Sequence, residues 1–258
     1  MVEWLSDSHI WWLLIIGFSA GLMDAAVGGG GLLQIPGLFG ALPQKTITPV
    51  VLGVNKFASA CGTLVAAVQY TRRIPVPWAM LLPAAVLAFA FSYMGAHVVE
   101  YLPTAWMKPS ILVILIIMAI YTFLKKDLGQ VQRQSRLTRR EYIIGLLMGA
   151  LIGLYDGIFG PGTGSLLAFI FVRFFAFDFI TATASSKVIN LTTNFAALIF
   201  FIPHQYVVWH WAIPLAIANL SGGIIGARLA MRGGSKLLRK GFIILLCIMI
   251  GKFGYDLL

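Results

Sequence analysis

Asp24, Lys56, Asp156 and Lys187 are ionisable residues set inside long apolar runs. A charge in such a run is costly, and it marks either a solute path or a buried ion pair. Each acid stands just ahead of a glycine cluster. "GLMDAAVGGGG" carries Asp24 and then Gly28, Gly29, Gly30 and Gly31, while "GLYDGIFGPGTGS" carries Asp156 and then Gly160, Gly162 and Gly164. Glycine lets a backbone turn sharply and lets a ligand come close to it. A helix restarting after such a turn presents free N–H groups and a partial positive charge, both of which favour an anion. Thr163 and Ser165 add hydroxyl donors. Lys56 and Lys187 would draw the same anion from opposite faces, with Asn55, Ser186, Asn190 and Asn194 offering amide or hydroxyl contacts.

Plainer readings exist for each feature. One glycine cluster reads as a tight helix-packing bend, but two at matching positions, each behind an acid, favour a site. A lysine about seven residues into a membrane segment can snorkel to the interface. A carboxylate repels an anion, so Asp24 and Asp156 are expected beside the pocket rather than lining it. There they would pair with the lysines or cap the turn N–H groups, or else take up and release protons in a coupled cycle.

The elements that hold these residues are membrane helices. The chain of 258 residues is 59% hydrophobic and 11% charged, against about 25% charged in a soluble domain. Ile74 to Val99, Pro109 to Leu124 and Val188 to Ala227 lack Asp, Glu, Lys and Arg altogether. A membrane helix needs about 20 mostly apolar residues, and no alternating strands suggest a β-barrel. The expected fold is all-α, a polytopic transmembrane helical bundle. The start of the chain has no basic region or cleavage site of a removable signal. Cys61 and Cys247 lie in apolar runs, which gives neither a disulfide framework nor a metal site. Tryptophans 11, 12, 78, 106, 209 and 211 fall near segment ends, as interfacial anchors do.

The two glycine stretches belong to a repeat. Gly21, Asp24, Gly28 and Gly30 align with Gly153, Asp156, Gly160 and Gly162. One residue out of register, Lys56, Pro83, Gly95 and Ala96 align with Lys187, Pro214, Gly226 and Ala227. The division expected is a first repeat at 1–124, a basic linker at 125–140 and a second repeat at 141–258. Each repeat reads as about five apolar segments: 11–27, 30–41, 49–70, 77–98 and 106–124, then 141–159, 162–175, 181–202, 209–230 and 239–257. Segment 30–41 covers only about 18 Å of rise, short of the ~30 Å hydrocarbon core. Segments one and two of each repeat are therefore broken or re-entrant at their glycines, with two thin full crossings as the alternative.

The net charge of +10 does not call for nucleic acid, because the basic residues cluster in a few loops as the positive-inside rule expects. With linker 125–140 in the cytoplasm, Arg72, Arg73, Arg173, Arg228 and Arg232 also fall inside, and both termini fall outside. The repeats then have inverted topology. Secondary transporters share that design, with sites near the midplane at paired helix breaks.

"GLMDAAVGGGG" with "VNK", and "GLYDGIFGPGTGS" with "SSK", resemble the TauE/SafE family of membrane transporters across about Gly17 to Gly251. The resemblance implies a bacterial inner-membrane permease for small anions, often sulfite or sulfonates. The function expected is a secondary transporter for a small anion such as a sulfur oxyanion. It would be an exporter driven by protons or by the membrane potential, which favours anion exit by about 2.3 kcal/mol per charge per 100 mV. The binding set is Gly28, Gly29, Gly30, Gly31, Asn55, Lys56, Gly160, Gly162, Thr163, Gly164, Ser186, Lys187 and Asn190. No cofactor, metal or catalytic residue is expected, the partners are the anion and lipid, and a homo-oligomer is left open. The alternatives are an anion channel and an intramembrane aspartyl protease using Asp24 and Asp156, whose carboxyls would then have to meet.

Overall fold

The computed structural model describes residues 8–43, 45–124 and 138–234, with residues 244, 247, 248, 250, 251, 254 and 255. Most of the linker, most of segment 239–257 and both ends of the chain lie outside the described residues. In hydrocarbon every backbone polar group must be paired within its own segment, and helices do this. The first half forms α1 (Ser8–Val27), α2 (Gly31–Ala41), α3 (Thr48–Thr71), α4 (Trp78–Tyr101) and α5 (Thr104–Leu124). The second forms α6 (Arg139–Ile158), α7 (Thr163–Phe175), α8 (Phe179–Phe201) and α9 (Trp209–Leu229), and a short π turn, Ala230–Gly234, continues α9. These bounds lie within three residues of the sequence expectation.

Among the described residues five helices are long and apolar enough to cross a membrane: α1, α3, α4, α6 and α9 with its π turn. Helices α2 and α7 are too short, at 11 and 13 residues, or about 16 and 20 Å of rise. Helix α8 is long enough but polar. It buries Thr181, Thr183, Ser185, Ser186, Lys187, Asn190, Thr193 and Asn194, so it belongs at the centre, packed on α3, α4 and α7. Large apolar side chains such as Leu82, Val86, Leu151 and Ile217 face outward instead. A polar interior inside an apolar exterior suits a bilayer solvent.

Close packing holds the bundle, because lipid offers no hydrophobic drive between helices. Gly145, Gly149, Gly153 and Gly157 recur every fourth residue and so form one stripe along α6. A Cβ on Gly149 would lie 2.3 Å from the Ala84 carbonyl oxygen, and one on Gly157 2.2 Å from that of Ser92. Helix α4 thus lies directly on α6. In the same way, Gly17 and Gly21 of α1 meet Leu215 and Asn219, and Gly222 and Gly226 of α9 meet Phe18 and Leu22. In both pairs the contact positions rise together, so the two helices are parallel. Both pairs also join a helix of the first half to one of the second.

This packing gathers the arginines. Helices α4 and α6 start at one end of the bundle, which holds Arg72 and Arg73 before α4, and Arg139 and Arg140 at the start of α6. At the other end, Gly53 near the start of α3 touches Tyr206 in the loop after α8, and the Tyr206 hydroxyl donates to Glu100 at the end of α4, 2.8 Å away. Helix α8 therefore starts at the arginine end, close to Arg173, and α9 ends there with Arg228 and Arg232. Lys45, just before α3, sits at the opposite end.

Candidate functional site

The chain breaks at both glycine stretches. After α1, Gly28 and Gly29 take φ of 78° and 91°, and after α6, Gly160 and Gly162 take 85° and 78°. These left-handed values favour glycine. The two turns touch: a Cβ on Gly28 would lie 2.6 Å from the Ser165 amide nitrogen, and one on Gly31 3.3 Å from Pro161 Cα. Buried Tyr70 and half-buried Tyr155 brace them. The Tyr70 hydroxyl donates to the Ala25 carbonyl at 2.9 Å, and the Tyr155 hydroxyl donates to that of Pro161.

Lys56 and Lys187 do not snorkel, being 1% and 0% exposed. Each ammonium is paired with the acid of the other half. Lys56 Nζ lies 2.5 Å from Asp156 Oδ2, and Lys187 Nζ lies 2.8 Å from Asp24 Oδ2. The pairs are not alike. Asp24 also accepts the Gly30 N–H at 3.3 Å and the Thr63 hydroxyl at 3.2 Å, and its side chain is 16% exposed. Asp156 is 1% exposed and accepts the Thr163 hydroxyl at 2.6 Å. That hydroxyl has a second acceptor, the Gly160 carbonyl, at 2.9 Å.

A polar hollow lies where these groups meet. Its lining includes Gly29, Gly31, Asn55, Lys56, Gly160, Gly162, Thr163, Gly164 and Asn190 from the predicted set. In this conformation it leaves about 20 Å³ for water centres, room for on the order of one water. Gly28 and Gly30 are in the turn backbone rather than the lining. Ser186 is turned away, its hydroxyl donating to the Thr183 carbonyl at 2.8 Å. Lys187 stands behind Gly164, whose Cβ would lie 3.4 Å from Nζ.

Asp24 and Asp156 do line the hollow, contrary to the expectation that they stand beside it. The reason is the crossed pairing: each carboxylate is met by an ammonium, so its repulsion of an anion is largely offset. No hydrogen bond joins the two acids, as a protease dyad would need. Sequence reasoning missed Ser59, which also lines the hollow. Ser59 follows Lys56 by three residues, as Asn190 follows Lys187, so the repeat itself carried the signal. Asn194 lines the hollow too, and its buried Nδ2 has no hydrogen-bond partner among the described residues. Buried polar atoms seldom go unpaired, and an unpaired donor on a residue that lines a cavity suits an anionic acceptor.

Among the described residues no cluster of His, Cys, Asp or Glu could hold a metal ion. No solved structure matches the chain. The chain is 31% identical over 245 residues to "Probable membrane transporter protein YfcA" of Escherichia coli strain K12, covering 95% of this chain and 89% of that protein. It is 33% identical over 234 residues to "Probable membrane transporter protein ORF9" of a Sinorhizobium species, covering 90% and 87%. It is 30% identical over 245 residues to a "Probable membrane transporter protein" of Haemophilus influenzae, covering 95% and 94%. These relatives are described as transporters rather than enzymes. The family model for "Sulfite exporter TauE/SafE" matches residues 13–253, and with that span of match the chain belongs to the TauE/SafE family of membrane transporters.

Proposed function

We propose that this transporter carries a small anion, a sulfur oxyanion or sulfonate such as sulfite, and that the hollow between the glycine turns is its site. The observation that carries this reading is the buried, unpartnered Asn194 Nδ2, set in one lining with Lys56, Thr163 and the restarts of α2 and α7. Two helix N-termini and an ammonium favour negative charge. The two halves act as inverted repeats, 1–124 and 141–258, with the 125–140 linker and the arginine end in the cytoplasm of a bacterial inner membrane. The parallel α1–α9 and α4–α6 pairs support this, since each is the counterpart of the other under the repeat. Segments one and two of each half are re-entrant, which suits the shortness of α2 and α7. The chain works as an exporter for an anion that accumulates inside.

Thermal unfolding of the purified protein against methanesulfonate, isethionate, sulfite and simple carboxylates tests the site, because preferential binding to the folded form raises the melting temperature. Sulfur oxyanions should stabilise most. Asn194→Leu should keep the fold and weaken the stabilising anion about tenfold, the worth of one hydrogen bond to a charged group. Equal behaviour of all the anions, or an unchanged affinity in Asn194→Leu, counts against the assignment.

A further inference from the structure

We infer that the anion travels with a proton, and that Asp156 takes up this proton when the anion replaces it at Lys56. The inference rests on reading the hollow as the anion site. Its first ground is charge. Asp24, Lys56 and Asp156 line the hollow, and Lys187 is bound to Asp24 behind it. These charges sum to zero without substrate. An anion arriving alone would leave one negative charge uncompensated in a buried, packed place, which is strongly disfavoured. A proton arriving with it restores the balance.

The second ground is that the two acids are built differently. Asp24 accepts a backbone N–H from Gly30, and a backbone donor cannot reverse. Thr63 and Lys187 also donate to it. Among the described residues Asp156 has no backbone donor. Its other partner, the Thr163 hydroxyl, reaches the Gly160 carbonyl as well. With Asp156 protonated, that hydroxyl turns to donate to Gly160 and accepts the new O–H, so both groups stay satisfied. The counterpart of Thr63 in the second half is Asn194, which leaves Asp156 alone and keeps Nδ2 free for the incoming anion.

The groups facing Asp156 allow this. Helix α3 offers Lys56, and α7 offers Thr163. Helix α4 brings Ser92, Gly95 and Ala96 against neighbouring Gly157. On its own helix, Tyr155 is committed to the Pro161 carbonyl. From α8, Lys187 is committed to Asp24.

The step balances. The Lys56 ammonium keeps its protons and exchanges the Asp156 carboxylate for the anion. A proton taken up from the bulk solution through the hollow goes onto the freed carboxylate, and release returns it to the bulk with the anion. For a singly charged anion the carried complex is neutral. Transport then ignores the membrane potential, and its direction follows the anion gradient and the pH gradient together.

The test uses the full-length protein and whichever of methanesulfonate, isethionate and sulfite stabilises it most. In weakly buffered solution with a pH dye, binding should take up about one proton per anion, and apparent affinity should fall about tenfold per pH unit while Asp156 is ionised. The anion's own protonation is subtracted with a protein-free titration. Flux in reconstituted vesicles should be unchanged when the potential is clamped at different values. Asp156→Asn should bind with no proton uptake and little pH dependence. If that variant fails to fold, the wild-type stoichiometry and voltage response still decide. Binding without proton uptake, or flux that follows the potential, overturns proton coupling and leaves the anion site standing. Failure of every anion to stabilise the protein overturns both.

Discussion

A lysine ammonium in a packed bundle needs a partner, and here each finds it on a helix from the other half of the chain. The crossed pairs Lys56–Asp156 and Lys187–Asp24 stitch the halves together at the point where both backbones break. Replacing a buried ion pair with apolar groups is often neutral, whereas removing one member strands the other charge at a cost of about 3–5 kcal/mol. Lys56→Met should therefore lower unfolding stability by about that much, and Lys56→Met with Asp156→Leu should recover most of it. Both forms should lose anion flux. A double mutant no more stable than the single would show that the pair does not act as a unit. The four charges and both glycine clusters were legible in the sequence, since charge inside an apolar run stands out. The crossing was not, because nothing along the chain says which lysine meets which acid. Nor was the loss of Ser186 from the lining, which turns on one hydroxyl choosing the Thr183 carbonyl over the hollow.

Helix bounds were the most readable elements, because Gly and Pro end apolar runs and no competing periodicity blurs them. Helix α8 reads as an ordinary span by length, and only its buried polar face reveals its central place. The α6 glycine stripe is where the elements depend on each other most. Gly149→Leu should disrupt the α4–α6 contact, and even Gly149→Ala puts a Cβ 2.3 Å from the Ala84 carbonyl oxygen. Overpacking of this kind costs about 1–3 kcal/mol, so the melting temperature in detergent should drop for Ala and further for Leu. At the far end of α4, Glu100 accepts the Tyr206 hydroxyl. That bond, with some help from burial and from the Glu100 charge, holds the Tyr206 phenol above its ordinary value. Because the folded value is raised, the stabilisation is complete below the ordinary tyrosine range, near pH ~10, and fades as pH rises through the folded value. The stability gap between wild type and Tyr206→Phe should shrink with alkalinity. A gap constant from about pH 8 to pH 12 would contradict this.

At the scale of the whole molecule, the charge asymmetry read from the loops meets an independent geometric fact. Parallel packing of α4 on α6, and the touch of Gly53 on Tyr206, bring Arg72, Arg73, Arg139, Arg140, Arg173, Arg228 and Arg232 to one end. Loop charges alone gave an order along the chain, and packing gives an order in space; neither was arranged by the other. By the positive-inside rule we propose that this end is cytoplasmic. Single cysteines test this in a background lacking Cys61 and Cys247, one replacing exposed Arg73 and one replacing exposed Gln205. In intact cells an impermeant thiol reagent should label position 205 and spare position 73, and in inside-out vesicles the preference should reverse. Labelling of both positions from one face would separate the arginine cluster from orientation.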